Sequence, residues 1–162
     1  MTVILAIDPG SERSAWLLYS TELPAVLAFA KEPNEEILEA LRSGDLDITR
    51  GVGLVVIEWT APRGMPASAQ LFETLWWAGR FAEAAQPTQV ERLERQHVKK
   101  HLLGRTNGTD TNIRAALIDR FGGIGGKAAA VGLKATPGPL YGISADVWAA
   151  LGVAVTWADG VR

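Results

Sequence analysis

Residues 3–10 read Val-Ile-Leu-Ala-Ile-Asp-Pro-Gly, an apolar run that ends in a carboxylate and a turn. Five consecutive apolar residues followed by these turn residues predict a buried strand with the acid at its carboxyl end. A second apolar run, residues 54–57, ends in the same way at Glu58. Because burying an unpaired carboxylate is costly, such acids are usually paired, protonated or bound to a cation. Asp8 and Glu58 are therefore the strongest indication of function in the chain.

Length and composition indicate one domain over residues 1–162. The chain is 48% hydrophobic and 21% charged, which is typical of a globular protein. It has no cysteine, so disulfides and thiolate metal sites are excluded. The N-terminus does not resemble a signal peptide, and no segment approaches the roughly 18 apolar residues of a membrane span. We expect a soluble, cytoplasmic protein with no membrane partner.

The charge is unevenly distributed along a chain whose net charge is only −2. Residues 1–91 carry 13 acidic and 6 basic side chains, whereas residues 92–134 carry 9 basic and 3 acidic ones. This asymmetry predicts a basic face that binds nucleic acid, because the local field matters more than the total charge. A solvated helix surface is the alternative interpretation.

The order of predicted elements indicates an α/β or α+β domain with a mixed sheet, because strands precede and then alternate with helices. Strands are expected at residues 2–7, 15–19, 25–30, 54–58 and 89–93. Helices are expected after an Asn34 cap and at residues 67–85, 95–103, 113–121 and 146–157. Residues 122–142 contain seven glycines and two prolines and are expected to form a flexible or functional loop.

Asp146, at the start of the last predicted helix, is the best candidate for a third acid in the same site. Carboxylates are hard oxygen ligands suited to Mg²⁺ or Mn²⁺. Three of them can hold two ions about 4 Å apart for phosphodiester hydrolysis. Taken singly, Asp8 could instead cap the turn that follows it, and Asp146 could cap its helix. The metal hypothesis depends on all three acids converging.

The predicted helix at residues 67–85 is apolar on most sides, so it should be buried on more than one side. Its aromatic residues suit a subunit interface, and a fully enclosed core helix is the alternative. The candidates for a homodimer interface are Phe72, Trp76, Trp77 and Phe81.

Four ordered blocks of this sequence resemble the RuvC-type Holliday junction resolvases of the RNase H-like superfamily, most closely their phage-encoded branch. The blocks are residues 4–10, residues 55–58, residues 98–104 with 113–117, and residues 146–155. Residues 137–142, Pro-Gly-Pro-Leu-Tyr-Gly, are also similar to the phage branch. Together these segments span nearly the whole chain.

The resemblance implies an RNase H-like fold, in which helices flank a central mixed sheet. It also implies a Mg²⁺-dependent endonuclease, with metal ligation by Asp8, Glu58 and Asp146 and two ions in each active site. A homodimer would nick opposing strands of a four-way junction, in a bacterial host cell if the chain is phage-encoded. Lys99 matches a basic residue near the family's active site and is expected to contact the scissile phosphate or the developing charge.

Two positions depart from the family pattern. The family commonly has a second metal ligand three residues from the last acid, but Ala149 or Ile143 stands at that position here. A second family lysine falls near Asp110, so its role is unfilled or has moved to Lys127 or Lys134. Thr109 or Asp110 is expected to cap the helix that follows, so Asp110 is expected to be a cap rather than a ligand.

The basic segment and the loop after Glu58 are expected to contact DNA. The predicted DNA-binding residues are Arg63, Met65, Lys99, Lys100, Arg105, Arg114, Lys127 and Lys134, and binding should depend strongly on salt. Met65 could wedge between bases at the crossover or pack onto the following helix. His97 and His101 are expected on the surface of a basic helix.

Three other functions are compatible with parts of the sequence. A catalytically weak or inert module that binds branched DNA would explain the missing ligand. Another RNase H-like nuclease would share the same acids. An actin-like ATPase fragment also begins with a strand, an acid and a turn, but it needs further phosphate loops and a second domain.

Overall fold

The computed structural model describes residues 3–44, 46–49, 51–62 and 64–161, which alternate strands and helices. The main strands are β1 (Val3–Asp8), β2 (Arg13–Ser20), β3 (Ala25–Pro33), β4 (Val52–Trp59) and β5 (Val90–Glu94). The helices are α1 (Asn34–Ser43), α2 (Leu46–Thr49), α3 (Ala69–Ala84), α4 (Arg95–Leu103), α5 (Asp110–Gly122), α6 (Gly126–Ala130) and α7 (Val147–Ala158). Two short strands, β6 (Gly132–Leu133) and β7 (Thr136–Pro137), form a separate hairpin.

The five main strands form one mixed sheet in the order β3-β2-β1-β4-β5. Strands β1, β4 and β5 are parallel to one another, and the β1–β2 and β2–β3 pairs are antiparallel. The predicted α/β class with a central mixed sheet is therefore confirmed. Parallel strands present their carboxyl ends at one edge of the sheet, and it is this edge that carries the predicted acids.

Apolar residues on both faces of the sheet explain why helices cover it on two sides. Along β1, Ile4 and Ala6 pack in the layer of α4, α5 and α7. The alternate residues Leu5 and Ile7 pack in the layer of α1 and α3. Successive side chains of a strand point to opposite faces, so one apolar run supplies two cores.

Helix α7 is the most enclosed helix of the domain, a role that the sequence suggested for α3. Most of its residues are buried, and Gly152 lies so close to α4 that a Cβ there would stand 3.2 Å from the Val98 side chain. Helix α3 is buried on one face and solvent-exposed on the other, where Phe72 is 63% and Trp76 is 57% exposed. The alternative of a fully enclosed core helix is therefore wrong for α3, whereas a second subunit on its exposed face stays a prediction.

Two further segments differ from the sequence-based prediction. Asn34 begins α1 but does not cap it, because its side chain bonds to the turn after β1 instead. Part of residues 122–142 is regular: a 3₁₀ turn at Gly123–Gly125, helix α6 and the β6–β7 hairpin follow one another. Gly138 allows this close fold, since a Cβ there would lie 2.4 Å from the carbonyl oxygen of Ala129. Among the described helices, none combines the length and apolar character that crossing a membrane requires.

Candidate active site

Three neighbouring parallel strands deliver Asp8, Glu58 and Arg95 to the same edge of the sheet. The β1–β4 register pairs Ile7 with Ile57. The residues that follow them, Asp8 and Glu58, are therefore neighbours. Strand β5 pairs with β4 up to Glu94, and Arg95 follows as the first residue of α4. In sheets of this kind, ligands bind outside the carboxyl ends of the strands.

Asp8 and Glu58 stand close enough at the ends of their strands for Glu58 to shift the pKa of Asp8. Glu58 is only 6% exposed. Burial raises the pKa of the Asp8 carboxyl well above its usual value, and the neighbouring Glu58 carboxylate raises it further. A cation bound between the two carboxylates would offset both the burial and the repulsion.

Arg95 is the counter-ion of Glu58. Its Nη1 donates to both carboxylate oxygens of Glu58, at 3.1 and 2.9 Å, and its Nη2 donates to Asp110 Oδ1. Burial opposes the charge of the guanidinium, but the carboxylates of Glu58, Asp110 and Asp8 outweigh it, so the pKa of Arg95 is raised. Arg95 therefore stays charged and holds Glu58 in place.

Asp146 reaches the same site from the residue that precedes α7. It accepts a hydrogen bond from Lys31 of β3 and is half exposed. The backbone of the preceding residue, Ala145, has a φ of 47°, in the left-handed region that a residue with a Cβ rarely adopts. The bond to Lys31 and this unusual backbone fix where the third acid stands.

Two depressions meet at these acids. The first is a cavity of about 130 Å³ whose lining includes Asp8, Arg95, Asp110, Asp146, Trp148 and Ala149. The second is a wider depression of about 360 Å³, lined by Asp8, Asp146 and polar residues that include Ser11, Thr60, Ser68 and Gln70. Asp8 and Asp146 line both, so a bound ligand could reach both acids.

A buried hydrogen-bond network holds the turn that follows Asp8. Gly10 N donates to Ser14 Oγ (3.0 Å), which donates to Asn34 Oδ1 (2.6 Å), and Asn34 Nδ2 donates to Gly10 O (3.0 Å). Ser14 and Asn34 are fully buried. A Cβ on Gly10 would meet the Arg13 carbonyl oxygen at 2.2 Å, so this turn requires glycine.

The acid set fits one divalent cation better than the two that were expected. Asp8 and Glu58 offer adjacent oxygen ligands, and Asp146 lines the same cavity as Asp8. The position of a fourth ligand is apolar, since Ala149 lines the cavity and Ile143 is buried. Over the described parts of the chain, no group of three or more acidic or histidine side chains is arranged to hold a metal.

Lys99 lies beside this site rather than among the acids. It lines a neighbouring cavity of about 170 Å³ together with Trp59, Thr60 and Arg95. Arg95 also lines the cavity of the acids, so it forms the partition between the two. The predicted catalytic role of Lys99 stays a prediction.

The expected DNA-binding residues are mostly exposed, with Lys99 half-buried. Lys100, Arg105, Lys127 and Lys134 are exposed, and Arg114 lies over the Trp148 ring at 5.1 Å. Met65 is 76% exposed, so the alternative that it packs onto α3 is wrong. Arg63 lies outside the described residues. His97 and His101 are exposed, as expected, and His101 Nε2 lies 2.6 Å from Asp159.

The predicted dimer interface needs a correction. Trp77 and Phe81 are 5% and 0% exposed, because they pack under the sheet in the core with α1. They therefore belong to the interior of this chain. Only Phe72 and Trp76 remain available on the outer face of α3, where Arg80 lies 4.6 Å from the Trp76 ring.

Sequence reasoning missed Arg95, Lys31 and the role of Asp110. Arg95 could have been found, because it directly follows a predicted strand at the edge that carries Glu58. Lys31 was placed beyond the end of its strand, but β3 extends to Pro33 and pairs Lys31 with Ala15. Asp110 does not cap α5: Thr109 does, in a capping box with Asn112.

No protein-family model and no curated protein sequence matches this chain. The structure is similar to that of Thermus thermophilus RuvC, with a TM-score of 0.62 and 18% identity over 96% of this chain and 92% of that one. It is also similar to T. thermophilus RuvC in complex with Holliday junction substrate, with a TM-score of 0.60 and 17% identity at the same coverage. The RNase H-like fold is thereby confirmed, whereas membership of the phage-encoded branch stays a prediction.

Proposed function

We propose that this chain is a structure-selective endonuclease that uses a divalent metal ion to nick branched DNA, including four-way junctions. The observation that carries the proposal is the side-by-side placement of Asp8 and Glu58 at the carboxyl edge of two parallel strands. It occurs on a fold shared with RuvC, one structure of which holds a Holliday junction.

Asp8 and Glu58 would hold the metal, and Asp146 would join them if it left Lys31. When bound, Mg²⁺ or Mn²⁺ would supply an activated water and stabilise the leaving oxygen of the phosphodiester. The residues of the chain orient the substrate: the wider depression offers hydroxyl and amide groups of Ser11, Thr60, Ser68 and Gln70 to a sugar–phosphate backbone. Lys99 and Arg95 would supply positive charge from the neighbouring cavity, which shares Thr60 with this depression.

The exposed cations beyond the site would bind the arms of the junction. Residues 92–134 carry six more basic than acidic side chains, so association should weaken strongly as salt rises. A homodimer through the outer face of α3 would bring two sites to one junction. The exposed Phe72 and Trp76 support this assembly, because large exposed apolar side chains are typical of interfaces.

The experiment is a nicking assay on an end-labelled mobile four-way junction in Mg²⁺, Mn²⁺ or EDTA. A linear duplex with the sequence of one arm pair is the control. We expect metal-dependent nicks in the junction and little cutting of the duplex. Equal cutting of both substrates would reject structure selectivity, and cutting in EDTA would reject the metal.

A catalytically inert protein that binds branched DNA is the second candidate. It is favoured by the ion pairs of Glu58 with Arg95 and of Asp146 with Lys31, and by Ala149 in the place of a ligand. Such a protein would bind the junction and slow its migration in a mobility-shift assay, but it would not cut the junction in Mg²⁺ or in Mn²⁺.

A further inference from the structure

Arg95 forms ion pairs with two carboxylates of the site, those of Glu58 and Asp110. Its guanidinium binds both oxygens of Glu58 and one of Asp110, and it is only 27% exposed. An arginine does not lose its proton in proteins, so this positive charge is permanent. A second metal ion would have to displace the Arg95 guanidinium or bind without the carboxylates of Glu58 and Asp110.

The charges of the site balance with one divalent ion. The carboxylates are Asp8, Glu58, Asp110 and Asp146, and the cations paired with them are Arg95 and Lys31. Carboxylates bind a metal ion in their deprotonated form. With all four acids so ionised, two negative charges remain, which is the charge of one Mg²⁺ or Mn²⁺. A second ion would reverse the sign and leave two positive charges in a partly buried site, which is unfavourable before substrate binds.

The ligands of a second ion are also incomplete. Ala149 lines the cavity and offers no oxygen from its side chain, and Ile143 is 7% exposed and apolar. Divalent magnesium requires near-octahedral oxygen coordination, so losing a protein ligand weakens a site. Arg95 lines the same cavity.

We infer that Arg95 replaces a second cation in this site, so that each chain binds one divalent ion, with Arg95 as the residue that positions Glu58 for it. The inference rests on the proposed function, which makes a divalent metal the cofactor. Its consequence is that the number of bound ions depends on Arg95 and can be measured without DNA.

The test measures how many Mn²⁺ ions bind to each full chain, using calorimetry and electron paramagnetic resonance. We expect one ion per wild-type chain. Arg95→Ala removes a positive charge and frees Glu58 and Asp110, so it should admit a second ion. Arg95→Lys keeps a charge but loses the two-pronged contact, and we expect it to retain one ion with at least about ten-fold weaker affinity.

The matched control is Arg92→Ala. Arg92 lies in the same basic segment but stacks over Trp59 at 4.7 Å, outside the cluster of acids, so this variant should bind one ion as the wild type does. Two ions in the wild-type chain, or none, would overturn the inference, and this measurement decides it even if Arg95→Ala fails to fold. Arg95→Ala binding a single ion with unchanged affinity would overturn it too.

These outcomes are distinguishable from failure of the proposed function. A wild-type chain that nicks junctions and binds two ions rejects the role of Arg95 and leaves the nuclease intact. A chain that binds one ion, gains a second in Arg95→Ala and never cuts DNA supports the role of Arg95 and rejects the nuclease.

Discussion

Asp8 and Glu58 stand side by side on neighbouring parallel strands, where the carboxylate of Glu58 raises the pKa of the buried Asp8 beyond the effect of burial itself. Two neighbouring acids repel each other when both are ionised, and burial adds to the penalty. A fold that keeps such a pair sacrifices stability for it, as functional sites commonly do. We therefore expect that substituting an acid of this pair raises the stability of the metal-free chain and lowers its activity.

Asp8→Asn should abolish junction cutting and leave junction binding within about two-fold. The substitution removes a metal ligand but does not touch the basic segment that binds phosphates. Nicking assays and mobility shifts in Ca²⁺ would measure the two effects separately. Persistent cutting at the wild-type rate would remove Asp8 from the mechanism.

Asp8→Asn should also stabilise the metal-free chain at pH 7. The folded pKa of Asp8 lies above its unfolded value of 3.8, so ionising this group costs folding free energy. The penalty grows as pH rises from the unfolded toward the folded pKa, and it vanishes below the unfolded value. Urea unfolding in EDTA at pH 7 and pH 3 measures it.

Glu12→Gln is the control, because Glu12 is an exposed acid in the same turn. It should change the unfolding free energy little at either pH. A loss of stability in Asp8→Asn at pH 7 would show that its charged form is favoured in the fold, contrary to the expected raised pKa.

Ser14→Ala should destabilise the chain by about 1–3 kcal/mol, because it leaves the partly buried Gly10 N–H and the buried Oδ1 of Asn34 without their partner. The turn after Asp8 would also loosen, so cutting should slow more than binding weakens. Chemical denaturation and single-turnover rates test both effects. Ser43→Ala, at an exposed serine of α1, is the matched control and should be near neutral.

The two strand-end acids could be predicted because the signal is local: an apolar run stops at a charge. Lys31 could not, because its contact with Asp146 spans 115 positions and depends on the β2–β3 register. The α3 aromatics were predicted as one set, yet the 100° step between adjacent helical residues separates exposed Trp76 from buried Trp77. Which face of α3 the sheet covers depends on tertiary packing, which the composition of the helix does not encode.

Trp76→Glu should yield a folded monomer, whereas Trp77→Glu should unfold the chain. Trp76 is 57% exposed and Trp77 is 5% exposed, so only the second buries an unpaired charge. Sedimentation velocity and circular dichroism distinguish the two results. Leu23→Glu, at an exposed leucine of the β2–β3 turn, should leave both folding and assembly unchanged. A folded Trp76→Glu dimer would reject this face of α3 as the interface.

Asp159→Asn should lower stability at pH 7 by about 1 kcal/mol, allowing for the partial exposure of this group. Hydrogen bonds from Arg120, at 2.6 and 2.7 Å, and then from His101 lower the pKa of Asp159. A lowered folded pKa gives stability that is complete above the unfolded value of 3.8 and is lost as pH falls through the folded pKa. Wild type and variant should therefore converge in thermal unfolding as pH falls through the folded pKa. Asp119→Asn, at an exposed acid of α5, should show no such dependence.

Lys99→Ala should slow cutting by about ten- to a hundred-fold while weakening binding much less, because a charge near the reacting phosphate acts mainly in the transition state. Lys99 shares a cavity with Arg95, whereas the adjacent Lys100 is exposed on another side of α4, near His97 and His101. Lys100→Ala should therefore do the reverse, reducing affinity and its salt dependence with little effect on the single-turnover rate at saturation. Single-turnover kinetics and binding titrations at two salt concentrations separate these effects. Equal losses of rate and affinity in Lys99→Ala would show that Lys99 only anchors a phosphate. Among the described residues that line the cavity of the acids, Arg95 would then be the one basic side chain placed to act on the reaction.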